Sequence, residues 1–241
     1  MFINSPLEQF DTIYFFSKKF DFLNIFFILI FLFIIIIYIY IYNIFKLIPS
    51  VLQWFLEVLY KFLLETLIQQ AGIHSLFFFP FVFSIFFFIL LSNIFGMLPF
   101  GFTITGHLSL TFFLAFGFNL GFFFLGLIKH GIKFFKLFIP SGTPVFLLPL
   151  IIVIEIVSYL IRTLSLSIRL FANMMAGHCL LFVISSFVFS FLNNLGILSL
   201  FFIVLIYIAI FILEFAIAFL QSYVFTILLC IYLNDSLHPS H

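Results

Sequence analysis

No charged residue occurs between positions 22 and 45, a run rich in Phe, Leu, Ile and Tyr that ends at Lys46. A bilayer core needs about 20 apolar residues per spanning helix, so this run predicts a permanent membrane span. It is too long for a signal peptide, and no small-residue cleavage site follows it. The rest of the chain has the same character: 66% of its residues are hydrophobic and 7% are charged. A soluble domain carries roughly a quarter charged residues, so lipid must solvate this chain. The expected fold class is an all-α integral membrane protein. It should have about five membrane helices plus one interfacial amphipathic helix, in a single membrane domain over residues 1–241.

The order of elements follows from the breaks. Residues 1–20 form a polar-aromatic leader with acidic residues, a proline and no arginine, unlike a transit peptide. Residues 22–45 are the first span. Residues 50–71 carry Trp54, Glu57, Lys61 and Glu65 among leucines. Charges three or four apart share one helix face, which predicts an amphipathic helix in the interface. Glu57 and Lys61 also have the favourable i,i+4 order. Residues 75–128 form a helical hairpin with spans at 75–98 and 108–128 around a polar turn. A basic loop with Lys129, Lys133 and Lys136 follows. Residues 145–233 form the last hairpin, with helices at 145–190 and 197–233 around the turn Leu192–Gly196. Each helix is much longer than the ~30 Å hydrocarbon core requires at ~1.5 Å per residue, so the hairpin should be strongly tilted.

Charge sets the orientation. Alternating spans put Lys46, Lys61, Lys129, Lys133 and Lys136 on one side, with Lys18 and Lys19 on the other. The positive-inside rule then puts the N-terminus outside and the C-terminus inside. The net charge of +1 offers no basic or acidic tail for nucleic acid. Cys179 and Cys230 lie in apolar helical sequence and read as small core residues rather than a disulfide or metal site. The 46 Phe and the many Ile have AT-rich codons, which points to an organelle genome.

Four ionisable residues, Glu155, Arg162, Arg169 and Glu214, fall inside predicted spans. A central Arg costs about 2.5–3.5 kcal/mol on insertion scales, so a role is expected. At 100° per residue, Glu155, Ser158, Arg162, Ser165, Asn173 and Ala176 all lie within about 40° of Arg169. Every member of that stripe is charged, polar or small, while Leu, Ile, Val and Phe dominate the rest of the helix. Such a face meets protein or water rather than lipid. Glu214, Ala218 and Gln221 form a shorter stripe on the last helix. His178 lies half a turn round from Arg169 and about two and a half turns along. Across the hairpin it pairs in depth with Glu214, and Glu155 lies towards the basic loop. Carboxylates and imidazole can load and release protons when their surroundings tune them, whereas Arg stays charged. The pattern is that of two proton paths separated by a fixed cation. Other classes fit less well: a transporter should show repeated halves, and a haem subunit needs paired axial ligands within helices.

The segment SLSIRLFANMMAGH, residues 165–178, closely resembles the signature of the subunit a family of F-type ATP synthases, in its mitochondrial form. NSPLEQF, SNIFGMLPFGFTITGHL, KLFIPSGTP, IEIVSYLIRTLS and EFAIAFLQSYVFTILLCIYLND are also similar to that family, so the likeness covers nearly the whole chain. It departs after Arg162, where TLS stands in place of a proline common in relatives. The resemblance implies a proton-translocating stator subunit with no catalytic nucleophile, bound cofactor or metal. It implies Arg169 as the essential arginine, His178 and Glu214 as the pair of the outer access channel, and Gln221 near the arginine. Glu155 is implied in the inner channel, with Asn173 and Ser165 lining the route. The implied partners are a c-subunit ring with membrane carboxylates, peripheral-stalk and other membrane-sector subunits, and the lipid bilayer, in a multisubunit complex that can be dimeric. The last hairpin would face the ring. The implied location is the mitochondrial inner membrane, with the N-terminus in the intermembrane space and the C-terminus in the matrix.

Overall fold

The computed structural model describes residues 34–35, 51–97, 104–138, 145–191 and 197–237. The leader, most of the predicted first span and the Leu192–Gly196 turn lie outside these residues. Five long helices run through the described chain: α1 Val51–Ala71, α2 Phe79–Met97, α3 Leu108–His130, α4 Leu148–Phe191 and α5 Ile197–Leu237. Four segments, Ile73–Met97, Leu108–His130, Leu148–Phe187 and Val204–Leu237, are long and apolar enough to cross a membrane. The protein is an all-α integral membrane protein.

Helix α1 buries one stripe, Leu56, Leu59, Leu63, Leu67 and Ala71, and leaves Trp54, Lys61 and Glu65 exposed. Lys61 and Glu65 share the exposed side as the spacing predicts, but Phe55 and Val58 are exposed with them and Gln53 is buried. The Glu57 carboxylate accepts a hydrogen bond from Gln53 at 2.9 Å, one turn towards the N-terminus. Gly72 then turns the chain at φ 77°, a conformation that costs glycine little. A 3-10 turn, Ile73–Phe78, leads directly into α2.

Helix α5 organises the molecule, packing against each of the other four helices. Its second half is sealed, with Phe225, Leu229, Cys230 and Leu233 at most 1% exposed. The rings and branches of Phe83, Phe86 and Ile89 on α2 complete that core. Its first half, from Val204 to Leu213, is largely exposed. A second difference from the sequence reading follows α3, where Gly131–Phe138 forms a 3-10 helix rather than an open loop. Gly131 ends α3 at φ 57°, its N–H bonded to Leu127 O. The ring of Phe134 then folds back onto Gly126, where a Cβ would lie 2.7 Å from Phe134 Cζ. A missing side chain thus lets an apparently polar connection dock on the helix before it.

Candidate functional site

Helices α4 and α5 carry the candidate functional residues read from the sequence. They run 44 and 41 residues, because no proline follows Pro149 in either and both are rich in residues that helices accept. They are tied across their contact by Asn173 Nδ2, which donates to Gln221 Oε1 at 3.1 Å. Two cavities lie on either side of that bond along the hairpin.

The first cavity, towards the turn that joins the helices, has a volume of about 200 Å³. Asn173, Gly177 and His178 of α4 line it, with Glu214 and Ile217 of α5 and Met97 of α2. Glu214 is 8% exposed, and its Oε1 is buried without a hydrogen-bond partner among the described residues. The structure therefore brings His178, Glu214 and Asn173 to one space, from positions 36 residues apart in sequence for the two titratable groups (214 less 178).

The second cavity holds about 480 Å³. Its lining comes from Ser158, Arg162, Ser165 and Arg169 of α4 and Val224, Ile227 and Leu228 of α5. Four members of the predicted stripe thus share one concave face. Ser158, Ser165, Arg169 and Ala176 are exposed, while Glu155, Arg162 and Asn173 are half-buried. Arg169 makes no ion pair among the described residues. Glu155 stands one turn beyond the cavity and is not among its walls. Gln221 is 4% exposed, so of the predicted residues it is the one most completely enclosed.

Sequence reasoning missed several polar contacts. Arg162 Nη1 lies 3.9 Å from Asp235 Oδ2, both side chains partly exposed. The last helix, expected over 197–233, continues to Leu237 and so includes Asp235. Asn119 Nδ2 on α3 donates to Thr163 Oγ1, and Ser167 Oγ donates to Thr111 Oγ1 at 3.3 Å. Asn93 on α2 is fully buried; it donates to Ala218 O at 3.4 Å and accepts from Thr105 at 2.9 Å. The isolated Asn residues within apolar spans were the available signal for two of these seams. At the other end His130 Nε2 donates to Leu237 O at 3.0 Å, closing α3 onto the last turn of α5. Cys179 and Cys230 are free thiols, the second buried.

The sequence matches the family described as ATP synthase A chain over residues 23–234. This chain belongs to that family. It is 48% identical over 198 residues to ATP synthase subunit a of Bartonella bacilliformis, covering 81% of this chain and 79% of the relative. The Nitrobacter winogradskyi subunit a is 47% identical over 199 residues, 81% of this chain and 80% of the other. The Acanthamoeba castellanii subunit a is 48% identical over 196 residues, at 80% and 78% coverage. As an ATP synthase A chain, the protein is a membrane-sector subunit engaged in proton transport and ATP synthesis. The α4–α5 hairpin, with both cavities, falls within the matched span apart from the last residues of α5.

Proposed function

We propose that the α4–α5 hairpin provides two offset half-channels, separated by Arg169, that couple proton flow to rotation of a ring of carboxylate-bearing subunits. The observation that carries this reading is the arrangement of two cavities on one hairpin. One is lined by His178 and Glu214 and the other by Arg169, with Asn173 bonded to Gln221 between them.

In this reading a proton enters through the first cavity, where Glu214 and His178 pass it to a ring carboxylate. Neutralised, that carboxylate can enter lipid as the ring turns, because the cost of burying a charge is removed. On its return it meets Arg169. The guanidinium keeps its charge at any physiological pH, so it attracts the ionised carboxylate and favours release of the proton towards Ser165, Ser158 and Glu155. It also repels protons that would cross without the ring. The exposed setting of Arg169 supports this: a cation on the outer wall of an apolar hairpin needs an anionic partner from another chain. Gln221, held by Asn173, lines the approach. Each proton moving down 100 mV releases about 2.3 kcal/mol, so several must pass for each ATP.

The lysines on the side of Lys61 and Lys129 support a matrix-facing inner end, with the N-terminus in the intermembrane space and the C-terminus in the matrix. The amoebal relative supports the mitochondrial inner membrane as the location. Helix α1 then lies in the interface, and α4 and α5 cross at a steep tilt facing the ring. Peripheral-stalk and other membrane-sector subunits cover the remaining apolar surface, with dimerisation of the complex through such contacts.

The deciding experiment is Arg169→Ala in the assembled complex, reconstituted in vesicles. Proton-driven ATP synthesis should fall to background, with a passive proton leak in its place. Normal synthesis by the assembled variant would remove the basis for the assignment.

A further inference from the structure

Gly177 stands between Ala176 and His178 in the interior of α4, a continuous 44-residue helix. Glycine weakens a helix interior relative to alanine, because it has more backbone freedom to lose. Its backbone here is ordinary helix, not the left-handed region that Gly72 and Gly131 adopt, so conformation does not require it. Space does. A Cβ built on Gly177 would lie 3.0 Å from Glu214 Oε1, 3.1 Å from its Cδ and 3.4 Å from its Cγ. The Glu214 carboxyl group therefore rests directly on the backbone of α4. By contrast, a Cβ on Gly117 or Gly121 of α3 would meet nothing within 4 Å.

We propose that Gly177 is a positioning residue for Glu214: its missing side chain is the seat that holds the carboxyl group against α4, beside His178 in the same cavity. The proposal rests on the reading of Glu214 as a proton carrier and adds what sets its position. Met97 and Met174 line the same cavity and pack together with Ala218. A methyl group on residue 177 pushes the carboxyl group off α4 by a few tenths of an ångström. A branched side chain displaces it from the cavity wall. Proton transfer needs donor and acceptor within hydrogen-bond reach, so a small displacement changes both the rate of transfer and its response to pH. His178 is the titratable neighbour lining the cavity with Glu214, and the Asn173–Gln221 pair is the nearest polar group along the hairpin.

The test uses the whole complex in vesicles, with ATP-driven proton pumping followed as a function of pH and complex content measured on native gels. Gly177→Ala should lower pumping per assembled complex several-fold and shift its pH profile. Gly177→Val should lower it more than tenfold. Combining Gly177→Ala with Glu214→Asp, which retracts the carboxyl group by one methylene, should recover pumping relative to Gly177→Ala alone. Unchanged pumping and an unchanged pH profile in Gly177→Ala would overturn the proposal. So would a loss that only follows complex content, with no shift in profile and no recovery in the double variant. If Gly177→Val does not assemble, Gly177→Ala and the double variant carry the decision. Glu214→Gln is the separate control: full pumping there would refute the proton-carrier reading itself, whereas loss there with an indifferent Gly177→Ala refutes only the seat.

Discussion

The residues that define this site differ in what isolates them. Arg169 is exposed on the hairpin wall, while Glu214 and Gln221 are buried and His178 half-buried. Arg169 has no ion pair among the described residues, and its partner in the proposed function comes from the ring; His178 and Glu214 already share a cavity. Because they share it, His178 and Glu214 should act as a unit. Glu214→Leu should reduce proton flux at least tenfold, and adding His178→Ala should cost little more, since groups that work in series are not additive. Flux measured in vesicles checks this, and an unaltered rate in Glu214→Leu would remove Glu214 from the entry path. At this scale much was legible in the sequence. The stripe around Arg169 followed from helical periodicity alone; Ser158, Arg162, Ser165 and Arg169 of it line one cavity, Asn173 and Ala176 line the other, and Glu155 lines neither. Asp235 was not legible as a partner of Arg162, because nothing local says that two positions 73 residues apart (235 less 162) end side by side.

At the scale of helices, the binding force is apolar packing joined by a few polar seams. Lipid offers no hydrophobic drive between helices, so close packing and interhelical hydrogen bonds hold them, at about 0.6–1.7 kcal/mol per bond. Asn93 serves as such a tie, fixing α2 to α5 through Ala218 O and to the following turn through Thr105. Asn93→Leu should therefore lower the stability of the detergent-solubilised complex by about 1–2 kcal/mol, because Thr105 loses its acceptor. A thermal-inactivation series checks this, with Ser84→Ala as the control, since the Ser84 hydroxyl bonds only its own helix at Phe81 O. Equal midpoints for the two variants would show that Asn93 ties nothing. Helix existence and length were readable from apolar runs, glycines and prolines. The hydroxyl seams were not, because Thr163 and Thr111 also satisfy themselves on their own helix. Such residues are easily lost within an apolar span. The 3-10 helix after α3 was equally hidden, since its docking depends on the space left by Gly126.

For the molecule as a whole, α5 is the common neighbour of every other helix, yet its first half and much of α4 face outward. Among the described residues, the second half of α5 is enclosed by neighbouring helices, while its first half is largely exposed. The polar and small stripe on α4 was legible in the sequence, whereas the exposed first half of α5 is apolar and carries no such mark. The positions of the partners are not encoded in one chain's periodicity.

The open setting of Arg169 also bears on the chain's life before assembly. In the proposed function, until the ring supplies an acidic partner, the Arg169 guanidinium faces a medium in which a central arginine costs about 2.5–3.5 kcal/mol. On that reading the orphan subunit would carry a thermodynamic mark that the assembled one has lost, and turnover of the orphan is where it would show. In cells lacking the carboxylate ring, pulse-chase labelling should show rapid turnover of this chain, and Arg169→Leu should lengthen its half-life. Equal half-lives would mean that the charge is hidden some other way. A residue kept for turning a rotor would then also serve as a timer on unassembled parts.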